Sequence, residues 1–406
     1  MIKRTLQELC LNITDGKHGD CENEENSGYY FISCKDIFDG QINYKKARQI
    51  TKADFEETHK RTMLEVDDIL LTNSGTIGRM AFVTDREATT KTTFQKSVAI
   101  IKPDKQKVLP RYLYYQLQNC VPQFINSSNG SAQKNLLLST MRTFQIEIEE
   151  NCEKQEKIAN TLFAYDDLIE NNQRQIKLLE EAAQRLYKEW FVDLRFPGHE
   201  NTKIVDGVPE GWNWCKLEDA IQFDPKVTLT KERMKQFIPM SALSTSSMVL
   251  DESQFTETTS NSGSKFQNGD TLLARITPCL ENGKTAYVSG LKSSEGAVGS
   301  TEYIVMRAKT INAYMVYLLA RTDDFRQSAI NSMSGSDGRQ RVKSDKLKML
   351  DYLHPTSELV EKFENVEEPI FEKIYRLSKQ MQQAKQARDF QGGVVVIGHH
   401  RDARQR

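Results

Sequence analysis

Two polar, glycine-containing loops carry residue types that could bind nucleic acid. Residues 71–79 read Leu-Thr-Asn-Ser-Gly-Thr-Ile-Gly-Arg, and residues 273–284 read Leu-Ala-Arg-Ile-Thr-Pro-Cys-Leu-Glu-Asn-Gly-Lys. A turn bent at glycine can present backbone N–H groups and short hydroxyls to a phosphate or a base edge. A hairpin turn with a purely structural role explains the glycines equally well, so the loops alone leave both interpretations open.

A second pair of matched segments follows further along the chain. Residues 130–134 read Gly-Ser-Ala-Gln-Lys, and residues 335–341 read Gly-Ser-Asp-Gly-Arg-Gln-Arg. Each segment comes just after a stretch with apolar residues at helical spacing, which predicts amphipathic helices over 111–124 and 313–325. These two segments, which we call the companion segments, form a further matched pair between the halves of the chain, each just past a predicted helix.

Lysine and arginine cluster in residues 45–52, 226–235 and 339–348. The net charge is nevertheless −1, from 55 Lys and Arg against 56 Asp and Glu, whereas proteins that depend on phosphate contacts usually have a basic excess. Any one cluster can be an ordinary solvated surface. We expect the first two clusters to occupy matching places in a repeated architecture, and such recurrence favours a binding role.

The motifs of an independent active site are missing from the sequence. There is no G-x-x-x-x-G-K-[ST] phosphate loop, no dinucleotide-binding glycine fingerprint and no Asn-Pro-Pro-Tyr-like methylation loop. The six histidines are isolated, and the seven cysteines form no C-x-x-C pair, so neither a nucleophilic triad nor a zinc site is indicated. The sequence favours a binding protein with no catalytic residues, no metal and no cofactor of its own.

An internal repeat defines the organisation of the chain. Glu156-Lys157-Ile158-Ala159-Asn160 returns 205 positions later as Glu361-Lys362-Phe363-Glu364-Asn365. Upstream, Asp68-Ile69-Leu70-Leu71 is matched by Asp270-Thr271-Leu272-Leu273. Two similar but diverged halves indicate one architecture directed at two different targets.

Each half ends in a long helix with apolar residues in heptad spacing, which is typical of a helix that packs against another helix. The helix from Cys152 to Trp190 would be a rod on the order of 55 Å long. In the second helix only Glu367 breaks the apolar pattern, and Pro369 predicts a kink or a new helix start. We expect the two helices to pair antiparallel, with a homodimeric coiled coil as the alternative. The seam residues are Ile158, Leu162, Tyr165, Ile169, Asn172, Ile176, Leu179, Phe363, Ile370, Ile374, Leu377 and Met381.

Length and composition fit two domains with connecting helices. A chain of 406 residues with 38% hydrophobic and 27% charged residues is too long for one core and is typical of an ordinary globular protein. Short β-branched and aromatic runs between turns predict strand-rich domains. The polar start and the lack of any run of about 18 apolar residues predict a cytoplasmic protein that does not enter a membrane.

The ordered set of duplicated motifs resembles the specificity subunit of type I restriction-modification systems. The similarity covers nearly the whole chain: residues 68–83, 269–288, the Val-Pro-Glu-Gly-Trp segment at 208–212, and the helix at 155–197. The resemblance implies an α+β fold in which two mixed, strand-rich target-recognition domains are joined by two long antiparallel coiled-coil helices, with a pseudo-twofold internal repeat. The expected boundaries are 1–150 and 198–355 for the two domains, 151–197 and 356–390 for the helices, and 391–406 for a divergent tail that begins where Gln391-Gly392-Gly393 ends the second helix.

By the same resemblance, each domain would read one half of a bipartite, asymmetric site in double-stranded DNA. The helices would set the spacer and dock two methylation subunits, through which restriction subunits join. S-adenosylmethionine, ATP and Mg would then belong to the partner subunits. Two alternatives remain open: a stand-alone site-specific nuclease with duplicated recognition domains, and a coiled-coil scaffold with no DNA role.

The candidate DNA contacts are Lys, Arg, Asn and Thr residues on the expected turns, because such side chains reach groove edges or phosphates. They are Lys45, Arg48, Asn73, Thr76, Lys134, Lys231, Arg233, Arg275, Asn282, Lys284, Arg339 and Arg341. Shortening the first helix by one heptad, about 10 Å, should change the spacer by about three base pairs.

Overall fold

The computed structural model describes residues 1–38, 40–85, 87–128, 134–336 and 339–397. The chain divides into two compact units: unit 1 comprises residues 1–168 with the chain from 384 onward, and unit 2 comprises residues 169–383. None of the helices in the described ranges has the length and apolar character needed to cross a bilayer.

The first half of the chain consists of short strands and helices followed by one long helix. In chain order these are β1 (Ile2–Thr5), α1 (Leu6–Leu9), β2 (Cys10–Asp15), β3 (Tyr30–Ile32), β4 (Ile37–Phe38), β5 (Gln41–Ile42), β6 (Arg48–Gln49), α2 (Lys52–Thr62), β7 (Ile69–Thr72), β8 (Met80–Phe82), β9 (Thr92–Phe94), β10 (Val98–Pro103), α3 (Pro110–Asn126), α4 (Leu138–Thr143), β11 (Gln145–Ile148) and α5 (Cys152–Tyr187).

The core of unit 1 is an antiparallel sheet with strand order β2-β10-β7-β8. Successive side chains of a strand point to opposite faces, so β7 contributes to two apolar clusters. Ile69 and Leu71 pack in the same cluster as Leu113 of α3, whereas Leu70 packs in the cluster that holds Phe94. Both faces of this sheet are therefore covered, which fits the continuous apolar run of β7.

The second half of the chain also consists of short strands and helices followed by one long helix. In chain order its elements are β12 (Ile204–Val205), β13 (Val208–Pro209), β14 (Asn213–Lys216), α6 (Leu217–Ala220), β15 (Ile221–Phe223), β16 (Lys235–Ile238), β17 (Thr256–Thr258), β18 (Ser264–Phe266), β19 (Thr271–Ala274), β20 (Thr285–Tyr287), β21 (Ala297–Gly299), β22 (Tyr303–Ala308), α7 (Ala313–Ala320), α8 (Asp323–Asn331), α9 (Ser344–Lys348), β23 (Asp351–His354) and α10 (Ser357–Ile397).

The strand order confirms the internal repeat. The central sheet of unit 2 runs β15-β22-β19-β20, the same arrangement as β2-β10-β7-β8 in unit 1. The pair β14–β23 matches β1–β11, and the parallel pair β16–β21 matches β3–β9. The α+β class with strand-rich domains is thus confirmed.

One ion pair recurs at the start of the third strand of each central sheet. Asp68 accepts a hydrogen bond from the Lys102 Nζ at 2.7 Å, and Asp270 accepts two from the Arg307 guanidinium at 2.7 Å each. Both carboxylates also accept the backbone N–H three residues upstream. Because a buried carboxylate needs such partners, the repeated Asp in the sequence marks this shared position.

The two amphipathic helices predicted after the sheets have different outcomes. The helix over 111–124 is confirmed as α3, Pro110–Asn126. The helix over 313–325 is wrong as a single element, because α7 ends at Ala320 and α8 begins at Asp323. Thr322 lies in extended backbone, and its side chain accepts the Phe325 N–H. This N-cap starts a new helix.

Within unit 2 the two long helices pack together in opposite directions. Asn172 lies near residue 169, where the unit 2 part of α5 begins. Its side-chain amide donates a hydrogen bond to Gln380 of α10 at 3.1 Å. Just beyond the end of α5, the Trp190 ring lies 5.4 Å from that of Phe363, near the start of α10. Early residues of one helix thus meet late residues of the other, which confirms the antiparallel pairing.

The seam residues are placed as follows. In unit 2, the side chains of Ile169, Asn172, Ile176, Phe363, Ile374 and Leu377 are buried, and those of Leu179, Ile370 and Met381 are partly buried. In unit 1, Leu162 is buried, while Ile158 and Tyr165 are partly buried. Phe371 and Tyr187, which the heptad count omits, also join the unit 2 core.

The ends of the long helices differ from those expected at residues 197 and 390. The α-helical part of α5 ends at Tyr187 and continues as a π-helical turn over Lys188–Val192. The prediction that Gln391-Gly392-Gly393 ends the second helix is wrong, since α10 runs to Ile397 and includes Pro369 without a restart. Glycine costs only about 1 kcal/mol relative to alanine inside a helix, which does not by itself end one. Residues 398–406 of the expected tail lie outside the described residues.

Glu367 is the exception in the helix seam. Its side chain is fully buried, and neither carboxylate oxygen has a hydrogen-bond partner among the described residues. Burial raises the pKa of Glu367 to about 7. Ionised carboxylates are costly to bury unpaired, so this residue destabilises the helix pair whenever it is charged.

Candidate nucleic-acid interface

Unit 1 contains an open groove of about 590 Å3 with a basic lining. Its lining residues come from β3, residues 33–36, β4, residues 43–46, β6 and Gln95. Four cationic side chains lie along it together with two aromatic rings: Lys35, Lys45, Lys46, Arg48, Phe31 and Phe38. Cations interleaved with aromatic rings are suited to binding phosphates and bases.

Arg48 is held in place within this groove. Its guanidinium donates to Asp20 at 2.5 Å, contacts Asn23 and the Cys21 carbonyl, and lies over the Phe31 ring. The hydrogen bond from Arg48 lowers the pKa of Asp20. Lys45 and Lys46 are instead exposed, and no side-chain ion pair engages them within the described part of the chain. Lys45 and Lys46, like the exposed Lys35, are therefore available to a ligand.

The loop of residues 73–79 is a tight turn braced by its own strand. The Thr72 hydroxyl donates to the Thr76 carbonyl at 2.5 Å and accepts the Arg79 N–H at 2.9 Å. Gly78 has φ +93°, and a Cβ there would lie 2.4 Å from Val121, so only glycine fits. Thr76 is exposed at the tip. Asn73, by contrast, is buried.

The residues directly after the companion segment of unit 1 contact this loop. Ser74 forms a bridge with Asn135, and the Leu136 N–H donates to the Asn73 carbonyl at 2.8 Å. This contact places the exposed Lys134 beside the loop. Residues 130–133 of the matched motif lie outside the described residues.

Unit 2 repeats the same contact between loop and companion segment. Ile276 forms a bridge with Arg341. The Val342 N–H donates to the Arg275 carbonyl at 2.9 Å, and the Thr277 N–H donates to the Gln340 carbonyl at 3.1 Å. In each unit the polar loop therefore contacts residues that lie in the companion segment or directly after it.

The cations of the unit 2 loop are tied to neighbouring acceptors. Arg341 donates from Nε and Nη2 to Glu302, the latter at 2.7 Å, and this hydrogen bond lowers the pKa of Glu302. Arg275 Nε donates to the Val342 carbonyl at 3.1 Å, and Lys284 Nζ donates to the Met240 carbonyl at 2.9 Å. Asn282 and Arg339 are exposed.

Two further arginines lie at the tip of this loop and were missed in the sequence. Arg321 donates to the Gly283 carbonyl at 2.8 Å, and an added Cβ on Gly283 would lie 3.1 Å from Arg326. Arg321 belongs to the segment predicted as one amphipathic helix over 313–325, and Arg326 follows that segment directly. The break between α7 and α8 turns Arg321 toward the loop, and the Thr322 N-cap was the available signal.

The first two basic clusters do not occupy matching places, contrary to expectation. Arg48 lies on β6, which pairs antiparallel with β3; β17 holds that position in unit 2. Lys231 and Arg233 instead precede β16, the counterpart of β3. The prediction was wrong because the segments between equivalent strands follow different paths. A charge cluster in such a segment therefore does not show where that segment lies in the structure.

The second cluster itself divides into exposed and buried charges. Lys231 is exposed, and Arg233 pairs with Glu295 at 3.0 Å. Lys235 is buried and donates to the Thr259 carbonyl and to Asn261.

Over the described ranges, no three His, Cys, Asp or Glu side chains converge as a metal site would require.

Comparisons with known proteins point in one direction. Residues 3–181 match the family model described as the type I restriction modification DNA specificity domain. The chain is 26% identical over 385 residues to the type I restriction enzyme MjaIX specificity subunit of Methanocaldococcus jannaschii, covering 91% of this chain and 86% of that one. It is also 35% identical over 140 residues to the EcoAI specificity subunit of Escherichia coli, covering 33% of this chain and 24% of that one.

A solved structure has the same fold. The S subunit of a type I restriction-modification system from M. genitalium superposes with a TM-score of 0.60 at 14% identity, covering 96% of this chain and 94% of that one. At this level of identity the match concerns the fold alone.

Proposed function

We propose that this chain, which belongs to the family of type I restriction-modification specificity subunits, reads a bipartite, asymmetric site in double-stranded DNA. As a specificity subunit it is the non-catalytic recognition component of such a system. Residues 1–150 would read one half of the site and residues 198–355 the other, in the cytoplasm.

The observation that carries this proposal is the repeated loop contact. Each unit presses a polar loop against a companion segment, at Ser74–Asn135 and at Ile276–Arg341, on the same sheet topology. The side chains on these loops differ between the units, and so do the surrounding cations. One scaffold carrying two different polar surfaces fits two different half-sites, because base edges are read by the identity of side chains.

The long helices complete the proposal. The segments 151–197 and 356–390 would set the spacer between the half-sites and dock two methylation subunits, with restriction subunits joining through these. S-adenosylmethionine, ATP and Mg would be bound by the partner subunits. The tail of residues 391–406 has no assigned role.

The proposed contact set differs from the set predicted from the sequence. Asn73 is left out because it is buried, and Arg48 is proposed to orient the groove because its donors are engaged. Lys46 is added from the groove, and Arg321 and Arg326 are added from the loop tip. The proposed contacts are Lys45, Lys46, Thr76, Lys134, Lys231, Arg233, Arg275, Asn282, Lys284, Arg321, Arg326, Arg339 and Arg341.

The groove lysines provide the test. In the complex with methylation subunits, the double substitution Lys45→Gln and Lys46→Gln should weaken DNA binding and reduce the slope of log affinity against log salt by about 1.8, because two phosphate contacts are lost. The matched control is Lys105→Gln with Lys107→Gln, which removes the same charge from exposed lysines of the same unit that pair with Asp67 and Asp104. Binding titrations at several salt concentrations measure both slopes.

The outcomes separate the alternatives. If the groove variant keeps the wild-type salt slope, or if the control changes that slope equally, the groove does not belong to the DNA interface. A purified chain that cuts plasmid with magnesium and no partner would favour the nuclease. Absence of salt-dependent DNA binding by the assembled complex would favour a scaffold.

A further inference from the structure

We propose that Glu302 is a positioning residue that orients Arg341 for contact with one base edge in the DNA half-site read by unit 2. This inference rests on the proposed function and concerns how that surface discriminates between sequences. Glu302 lies just before β22, and Arg341 lies in the companion segment of the loop.

The geometry between the two side chains is a two-point contact. Arg341 Nε lies 2.9 Å from one carboxylate oxygen of Glu302, and Nη2 lies 2.7 Å from the other. Two parallel N–H···O bonds fix the plane of a guanidinium, whereas a single bond leaves it free to rotate. Glu302 therefore determines where the rest of the Arg341 head group points.

Donors remain on Arg341 after this contact. A guanidinium has five N–H donors. Glu302 engages two of them, and Nη1 donates to the Arg339 carbonyl at 3.3 Å. One further N–H on each of the two terminal nitrogens is left, and the side chain is 42% exposed. A pair of arginine donors is the commonest means of reading the O6 and N7 atoms of guanine.

The backbone around the pair is also fixed. The Glu302 carbonyl accepts the Arg275 N–H at 3.0 Å, and the Val342 N–H donates to the Arg275 carbonyl at 2.9 Å. These bonds join the residue before β22, the polar loop and the companion segment. A rigid support of this kind is what a directional base contact requires.

The charge of Glu302 has a second effect. It neutralises Arg341 in the free protein, which reduces the sequence-independent attraction of this surface to phosphates. Removing the charge should therefore increase binding to any DNA, while loss of the two-point contact should reduce discrimination. The two effects can be separated because Glu302→Asp retains the negative charge and alters the geometry of the contact with Arg341.

Four variants, each in the complex with methylation subunits, test the inference. Glu302→Gln should steepen the salt slope by about 0.9 and reduce discrimination at one base pair by about tenfold, the scale of a single bidentate base contact. Glu302→Asp should keep the wild-type salt slope and lose discrimination at the same base pair. Arg341→Lys should lose discrimination there too, and adding Glu302→Gln to it should cause no further loss.

The matched control is Glu281→Gln. Glu281 lies in the same loop and accepts a hydrogen bond from Thr277 Oγ1 at 2.8 Å, so its substitution changes the local charge without touching Arg341. Its discrimination should equal that of the wild type. Affinities are measured for the target site and for single-base-pair variants of one half-site over a range of salt.

The inference and the proposed function fail in different ways. If the wild-type complex binds all sequences equally, the proposed function is wrong. If the wild type discriminates and the Glu302 variants match it at every position, Glu302 does not position the contact. Uniform weakening of Arg341→Lys across all sequences would assign Arg341 to a phosphate and overturn the base-edge contact.

Discussion

Replacing Glu367 with leucine is expected to stabilise the protein by about 3 kcal/mol at pH 8, an unusually large gain for one substitution. The carboxylate is fully buried and unpartnered among the described residues, and its pKa is raised from 4.5 to about 7. The internal repeat suggests the replacement, because a shift of 205 places Glu367 at the position of Leu162, which is buried and apolar.

The gain should depend on pH in a defined direction. A carboxyl whose pKa is higher in the folded state than in the unfolded state binds more protons when folded, so stability falls as pH rises between the two values. For Glu367 that interval runs from 4.5 to about 7. The advantage of Glu367→Leu over the wild type should therefore be small at pH 5 and reach its full size above pH 7.

Tryptophan fluorescence during urea unfolding is a direct measurement, because the three tryptophans, Trp190, Trp212 and Trp214, all lie in unit 2 with Glu367. The matched control is Glu368→Leu, the same substitution at the exposed neighbouring position, which should leave stability nearly unchanged. A Glu367→Leu protein that is less stable than the wild type at pH 8, or equally stable at every pH, would contradict this account.

Removing one heptad from both helices is expected to shorten the DNA spacer by about three base pairs while leaving both half-sites unchanged. The contacts Asn172–Gln380 and Trp190–Phe363 define the antiparallel register, which places residues 170–176 opposite residues 376–382. Deleting both segments removes about 10 Å of helix and keeps the heptad phase. At 3.4 Å per base pair, that length corresponds to about three base pairs.

The measurement is a genome-wide map of methylated adenines in cells that express the altered subunit with its methylation partners. The control deletes only residues 170–176, which shifts α5 against α10 and should abolish methylation because the seam no longer matches. Methylation by the double-deletion protein at the original spacing would show that the helices do not set the spacer.

Patterns with fixed spacing were readable from the sequence. The Asp68 and Asp270 repeats predicted equivalent strands, because a buried carboxylate at a strand start must keep its cationic partner. The heptad positions predicted the helix pair, since burial follows a period that backbone geometry imposes. Both features depend on local spacing, which a single chain displays directly.

Features that depend on how distant parts of the chain come together could not be predicted from the sequence. The clusters containing Arg48 and Lys231 looked equivalent by order along the chain. Arg48, however, lies on the strand that pairs with β3, whereas Lys231 precedes β16, the counterpart of β3. Inserted segments of this kind carry no periodic signal. Glu302 was not among the candidates, since its role arises from Arg341, 39 positions away. Asn73 was chosen for its residue type, which does not reveal that the turn buries it.

The most direct test of two independent reading domains is to exchange residues 1–150 for the corresponding domain of another family member and to map methylated adenines in cells with the full complex. We expect one half of the methylated sequence to change to that of the donor while the other half stays the same. Replacement of both halves, or of neither, would contradict the assignment of one half-site to each domain.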